Sequence, residues 1–306
     1  MKIAPQYKDQ VGLLLDILPI VAKKKCFALK GGTALNLFIW DMPRLSVDID
    51  LVYLPINDRN DAFKDIAANL ASIKNDLENI LRIKVAATEN SKLICSRESA
   101  IVKIEVNTVI RGALFDPEVL TVVDVVQDNF EKFAAISVLD RYEIYGSKIC
   151  AALDRQHPRD IFDVSQILGE GGGDFNDKIK DAFIFYLLSH NRPVNELLFS
   201  TINDKRNDFK NQFEGMALQK FDYEDFIKIS HLLREKINGL FSDKDKEFIL
   251  GFKKGSPNWA LFSKDISQYP SIKWKLENIK NLINNNPEKY RETYKKLEMI
   301  FEGSGV

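Results

Sequence analysis

The hexapeptide Ser46-Val47-Asp48-Ile49-Asp50-Leu51 restricts what this chain can become more than any other stretch of its 306 residues. Its polar and apolar residues alternate with the period of a β-strand, which puts Asp48 and Asp50 on one face and Val47, Ile49 and Leu51 on the other. Two carboxylates aimed at one spot repel each other and persist only with positive charge between them. Magnesium, a hard cation that takes oxygen ligands, meets that need. An isolated Asp-x-Asp is as readily a solvated strand face at a sheet edge, so its neighbours decide the reading.

Upstream, Leu29-Lys30-Gly31-Gly32-Thr33 reads as a strand that turns on two glycines into a helix. Such a turn presents backbone N–H groups and the positive helix end to an anion, and triphosphate oxygens suit it. Downstream, Ile104-Glu105-Val106 sets one carboxylate between apolar neighbours on a predicted strand, so Glu105 is the candidate third metal ligand and general base. Three acids around two magnesium ions can hold a nucleoside triphosphate, align a hydroxyl with its α-phosphorus and neutralise the departing pyrophosphate. The plainer alternative for Glu105 is an exposed residue of an edge strand.

Helical spacing of Val11, Leu14, Leu15, Leu18 and Ala22 predicts a first helix, followed by a short strand at 27–29 and a helix over 33–40. A strand over 47–54 and a long helix through Phe63, Ile66, Leu70, Ile73 and Leu77 come next. Apolar, β-branched stretches near 82–88, 92–96, 100–110 and 119–126 predict four more strands. From Asp140 onward no strand is expected; helices are predicted near 140–155, 159–169, 176–190, 221–239 and 273–300. The fold class is therefore α/β (α+β), a mixed sheet with flanking helices followed by a mainly helical C-terminal lobe.

A chain of this length with 45% hydrophobic and 28% charged residues supports a packed core, divided between two domains. Its net charge of −1 gives no global nucleic-acid signal, yet residues 226–306 carry 15 Lys/Arg against 10 Asp/Glu, leaving −6 for the rest. That asymmetry offers RNA a landing surface, or is scattered lysine on solvated helices. Cys26, Cys95 and Cys150 have no metal-ligand spacing and read as small core residues of a reduced cytoplasm. The apolar segment 12–22 contains Asp16 and is far shorter than a membrane span, so no membrane association and a cytoplasmic location are expected.

The glycine pair opening a helix, the alternating Asp-x-Asp strand and the later acid together resemble the DNA polymerase β nucleotidyltransferase superfamily. Within it, Lys30-Gly31-Gly32-Thr33-Ala34-Leu35 and Arg44-Leu45-Ser46-Val47-Asp48-Ile49-Asp50-Leu51 closely resemble the AbiEii/AbiGii toxins. A second block, Lys148, Ala151-Ala152 and Arg159-Asp160-Ile161-Phe162-Asp163, also resembles that family, and the motifs span about residues 27–165. The resemblance implies the toxin of a bacterial toxin–antitoxin and phage-defence (abortive infection) system, with a cognate antitoxin as partner. It implies a magnesium-dependent nucleotidyltransferase that uses a nucleoside triphosphate and adds nucleotides to RNA, for some members the 3′ acceptor end of tRNA. Other members are described only as binding GTP.

Carried over by residue, Asp48 and Asp50 are metal ligands, and Gly31, Gly32, Thr33, Arg44 and Ser46 belong to the nucleotide-binding motif. Lys148 matches the family lysine and Asp160 the acid that follows it, with Asp163 close enough to compete. The third acid, Glu105, departs from the Asp more usual in the superfamily. The implied domains are a nucleotidyltransferase catalytic domain over 1–139 and a helical domain over 140–306 that contributes Lys148 and Asp160 to the cleft. On residue spacing alone, Arg141, Lys148 and Arg155 recur every seven positions and form a basic ridge, with Ala151 and Ala152 leaving room for a triphosphate. Asp160 and Asp163 are equally able to form salt bridges with Arg159 or Arg155.

Other signals weigh less. His157-Pro158-Arg159-Asp160 lacks the glycine loop and Asp-Phe-Gly of a kinase, and Gly169-Glu170-Gly171-Gly172-Gly173 follows a helix, so it is a connection and not a dinucleotide fingerprint. The three tryptophans read as packing residues, with Trp259 alternatively stacking on a base. Two further functions remain: a nucleotide-binding toxin module without turnover, and a metal-dependent nuclease, which the lack of a following Glu-x-Lys disfavours.

Overall fold

The computed structural model describes residues 5–170 and 175–303. Gly171, Gly172 and Gly173 of the glycine-rich connection lie outside these residues. The chain divides into two compact units, residues 1–144 with 210–221 and residues 145–209 with 222–306. The division falls inside one helix, a few residues beyond the expected boundary at 139/140, and a strip from late in the chain returns to the first unit.

The first unit opens with α1 (Pro5–Val21), β1 (Phe27–Lys30) and α2 (Gly31–Ala34), which runs on as a wider π-helical turn, Leu35–Ile39. Next come β2 (Asp48–Tyr53) and α3 (Arg59–Asp76), then β3 (Lys84–Glu89), β4 (Lys92–Arg97) and β5 (Ala100–Asn107). The unit's sheet is completed by β6 (Glu118–Thr121) and β7 (Ala135–Val138), with α4 (Asp124–Phe130) between them. The sheet has seven strands in the order β3-β4-β5-β2-β1-β7-β6. It is mixed: β2 runs parallel to β5 and antiparallel to β1, and β1 runs parallel to β7.

Leu13, Leu14, Ile17, Leu18 and Val21 of α1 are buried, as are Leu29, Ile49, Leu51 and Ile104 of the central strands. Complete burial of each such side chain is worth about 1.5–3 kcal/mol, which anchors β2 with its apolar residues inward and fixes where Asp48 and Asp50 point.

Two readings of the first unit need correction. The stretch 119–126 is a strand only to Thr121 and enters α4 at Asp124, and β7, only four residues long, was not anticipated. β-branched composition favoured a strand over Val122-Val123, but Val122 is buried from the connection after β6 and Val126 from α4 instead.

The second unit is helical among its described residues. It contains most of α5 (Arg141–Arg155), α6 (Pro158–Glu170), α7 (Asp177–Ser189), α8 (Val194–Leu198) and most of α9 (Arg206–Gln212). It continues with α10 (Tyr223–Asn238), α11 (Asp243–Lys253), α12 (Pro270–Asn285) and α13 (Pro287–Phe301). The predicted helix over 273–300 is two helices because Pro287 ends the first, and the Asn286 side chain accepts the Lys289 N–H to begin the second. Capping boxes at Asp222/Asp225 and Ser242/Asp245 start α10 and α11. Trp259 packs edge-on against Phe248 and Phe252, while Trp274 is 44% exposed. No helix among the described residues is long and apolar enough to cross a membrane.

Candidate functional site

The parallel register of β2 and β5 sets Asp48 beside Lys103 and Asp50 beside Glu105, while Lys30 lies opposite Asp50 on β1 and Lys92 opposite Glu105 on β4. Paired residues of adjacent strands share a face, so Lys30, Asp50, Glu105 and Lys92 form one row of charges across four strands. Asp48 and Asp50 are half-buried, and Ile49 and Leu51 are fully buried on the opposite face, as the alternation requires.

The glycine bend meets this row directly. β1 ends at Lys30, and Gly31 turns into α2 with φ +74°, a left-handed conformation that L side chains rarely adopt. A Cβ built on Gly31 would lie 2.9 Å from Asp50 Oδ2, and one on Gly32 would lie 2.6 Å from Arg44 Nη2 and 3.0 Å from Ser46 Oγ. The backbone thus approaches Asp50, Arg44 and Ser46 closely only because both side chains are absent. The Thr33 hydroxyl is within hydrogen-bond distance of Ser46 Oγ, at 2.9 Å, and of the Asp48 carbonyl. Thr33, Arg44 and Ser46 are buried.

The loop that carries Arg44 and Ser46 is stitched from two sides. Asn36, fully buried, donates to the Gly32 carbonyl at 2.9 Å and accepts the Arg44 N–H at 3.3 Å. From far along the chain, Leu45 N–H donates to the Met216 carbonyl at 2.9 Å and Leu218 N–H to the Pro43 carbonyl at 2.8 Å. These two bonds flank a bridge between Arg44 and Ala217. Phe213 and Phe221, edge-to-face at 5.6 Å, brace that strip.

Glu105 sits in the expected register but is held by lysines: Oε2 lies 2.8 Å from Lys103 Nζ and 3.7 Å from Lys92 Nζ. Burial alone would raise its carboxyl, but the hydrogen bond and charge of Lys103, with Lys92 behind it, hold it below the ordinary range. Burial alone would lower the Lys103 ammonium, yet its bond to Glu105 and the charges of Asp48, Glu105 and Asp50 outweigh this and raise it. Lys103 is therefore a tethered counter-ion shared among the three acids. The donor chemistry around Asp48 and Asp50 fits a magnesium ion, which is commonly held by one or two carboxylates plus water and phosphate oxygens. Among the described residues no three His, Cys, Asp or Glu side chains stand close enough to grip one ion together.

Lys148, Asp160 and Asp163 form a second cluster, wholly within the second unit. Lys148 Nζ lies 2.9 Å from Asp160 Oδ1 and 3.0 Å from Asp163 Oδ2, and all three side chains are at least nine-tenths buried. Arg155, largely exposed, adds Nε to Asp160 Oδ2 at 2.5 Å and Nη2 to Asp160 Oδ1 at 3.0 Å. Burial would raise the Asp160 carboxyl, but the charges of Lys148 and Arg155 prevail and drive it well below the ordinary range. Lys148 thus engages both candidate acids at once. It is a buried ion-pair residue and not part of a solvent-facing ridge with Arg141 and Arg155.

Sequence reasoning missed Asn36, Lys103 and the strip 213–221. Lys103 was legible in principle, since Lys103-Ile104-Glu105 repeats the alternation that exposed Asp48 and Asp50. A buried asparagine and a remote backbone bridge leave no such trace.

Among the solved structures that match, two are similar over most of the chain. MenT4, a nucleotidyltransferase toxin of Mycobacterium tuberculosis, is 10% identical, with 98% of this chain and 94% of that one covered at a TM-score of 0.46. JHP933 from Helicobacter pylori is 17% identical, with 78% of this chain and 96% of that one covered, also at 0.46. No curated protein matches the sequence. The family model described as the nucleotidyl transferase AbiEii toxin of type IV toxin–antitoxin systems matches residues 12–279, which include every candidate residue above, and the chain belongs to that family.

Proposed function

We propose that this toxin transfers a nucleotidyl group from a nucleoside triphosphate to RNA, with the 3′ acceptor end of tRNA as acceptor, and that Asp48 and Asp50 hold magnesium for the reaction. The observation that carries the reading is the close approach of the Gly31-Gly32 bend to Asp50, Arg44 and Ser46, an anion cradle against a carboxylate pair. In it, the N–H groups at the start of α2 and the Arg44 guanidinium bind phosphate oxygens, and Ser46 orients them. When bound, magnesium neutralises charge on the transferring phosphoryl group and its leaving pyrophosphate. Glu105, kept ionised by Lys103, is the group that accepts the proton of the acceptor hydroxyl at its Oε atoms. Lys148, fixed between Asp160 and Asp163, is the functional lysine of the second unit. Because residues 226–306 are net basic, RNA affinity is expected to fall as salt rises.

The experiment is incubation of the purified protein with magnesium, labelled triphosphates and total tRNA, beside growth of cells expressing wild type or Asp48→Ala. Transfer to tRNA by the wild type alone supports the proposal. No transfer to any acceptor, with Asp48→Ala still as toxic as wild type, overturns it. The engagement of Glu105 by two lysines favours a second reading, a triphosphate-binding toxin without turnover. Calorimetric binding of a triphosphate with no product under any acceptor would select it.

A further inference from the structure

A cavity of about 150 Å³ lies within the second unit, between the chain around the start of α8 and the helices α11 and α12. Its walls are mainly apolar, with Val194, Phe252, Ile279 and Leu282 among them, yet two lysines also line it. Lys275 is 8% exposed, and its Nζ donates to the carbonyls of His190, Arg192 and Asn191 at 2.5, 2.8 and 3.3 Å. Those bonds close the end of α7 and explain that lysine fully. Lys253 is different: the residue is 7% exposed, its side chain makes neither a hydrogen bond nor an ion pair among the described residues, and its Nζ is not sealed from solvent.

A lysine whose stem is buried while its ammonium has only solvent as a partner leaves that charge open to an incoming anion, at the edge of an apolar wall that can take the anion's hydrocarbon part. Burial lowers the Lys253 ammonium with only the charge of Glu196 opposing. Burial and the charge of Lys253 bring Lys275 down to about 8. Glu196 is itself turned toward Arg192, at 3.5 Å, so the cavity keeps an excess of positive charge.

We propose that this cavity is a binding site for a small carboxylic acid, its carboxylate on Lys253 and its hydrocarbon body against Val194, Phe252 and Ile279. The volume suits a benzene-sized body, since an apolar cavity of about 150 Å³ accepts benzene. A doubly charged phosphate fits poorly, because it needs several donors and Lys275 already spends its own on three carbonyls. The site is separate from the carboxylate pair of the first unit and does not depend on the activity proposed for it.

The test is calorimetry and thermal unfolding of the full chain with benzoate, butanoate or inorganic phosphate, for wild type, Lys253→Met and Lys253→Gln. Wild type should bind a carboxylate saturably, with a rise of about 5 °C in its unfolding midpoint near saturation. Both variants should unfold above the ligand-free wild type and lose the response to carboxylate. No saturable carboxylate binding by wild type, equal binding by a folded Lys253 variant, or an equal response to phosphate overturns the assignment.

Discussion

Replacing Gly31 by alanine tests the architecture of the glycine bend through two separable effects. Gly31 has φ +74°, and an L-residue held in that left-handed region costs about 1–2 kcal/mol. At about 2–4 °C per kcal/mol, the unfolding midpoint should fall by about 2–8 °C. The second effect is steric: the new Cβ would lie 2.9 Å from Asp50 Oδ2, where ordinary contact begins near 3.4 Å. The Asp50 carboxylate must therefore retreat by about half an ångström. Misplacement of a reacting group by about 1 Å costs on the order of a hundredfold, so transfer should fall roughly tenfold. Gly31→Asn separates the effects, because asparagine tolerates the left-handed region yet carries the same Cβ. It should recover part of the midpoint and none of the rate. Circular dichroism melts and initial rates of labelled-nucleotide transfer give the two readouts. A Gly31→Asn variant with wild-type transfer refutes the close approach of bend and carboxylate; a Gly31→Ala variant with an unshifted midpoint refutes the strain.

Three further outcomes follow from the geometry. Lys103→Met removes the positive charge shared by Asp48, Asp50 and Glu105, so calorimetry should show magnesium binding tightened by several-fold to about tenfold, and weaker binding would contradict the tethered counter-ion. Because the Asp160 carboxyl is depressed in the fold, its stabilisation is complete above its ordinary value of 3.8 and is lost as pH falls below it. Asp160→Asn should thus lower stability at pH 7 and flatten the decline below about pH 4 in urea unfolding; an equally steep acid limb would sink that account. Gly146→Ala would set a Cβ 2.5 Å from the Phe183 amide nitrogen and 2.6 Å from Ala182 Cβ, forcing α5 from α7. A loss of about 1–3 kcal/mol or more is expected, and wild-type urea stability would show that this contact yields.

The carboxylate strand was readable because a period of two is a local property: the burial of Ile49 and Leu51 dictates where Asp48 and Asp50 face, whatever else the chain does. The glycine bend was readable because a positive φ and a missing Cβ demand glycine. Lys148, Asp160 and Asp163 could be nominated as a group, but that one ammonium reaches both acids depends on the packing of α5 on α6, which spacing alone does not fix. The short β7 has too few residues for periodicity to show, and its place beside β1 comes from long-range pairing. Glu105 appeared as a lone acid because cross-strand neighbours such as Lys92 are separated from it in sequence and meet it only through the sheet.

The strip at residues 210–221 also bears on the order in which a ribosome releases this protein. The bend, the paired acids and all seven strands have emerged well before Met216 and Ala217 reach the loop around Arg44 and fasten it. A nascent or prematurely terminated chain that stops short of this strip would carry every residue proposed to bind the nucleotide yet leave the loop around Arg44 unfastened. On the function proposed above, translation must pass this point before the loop of Arg44 and Ser46 can take the form that the site requires.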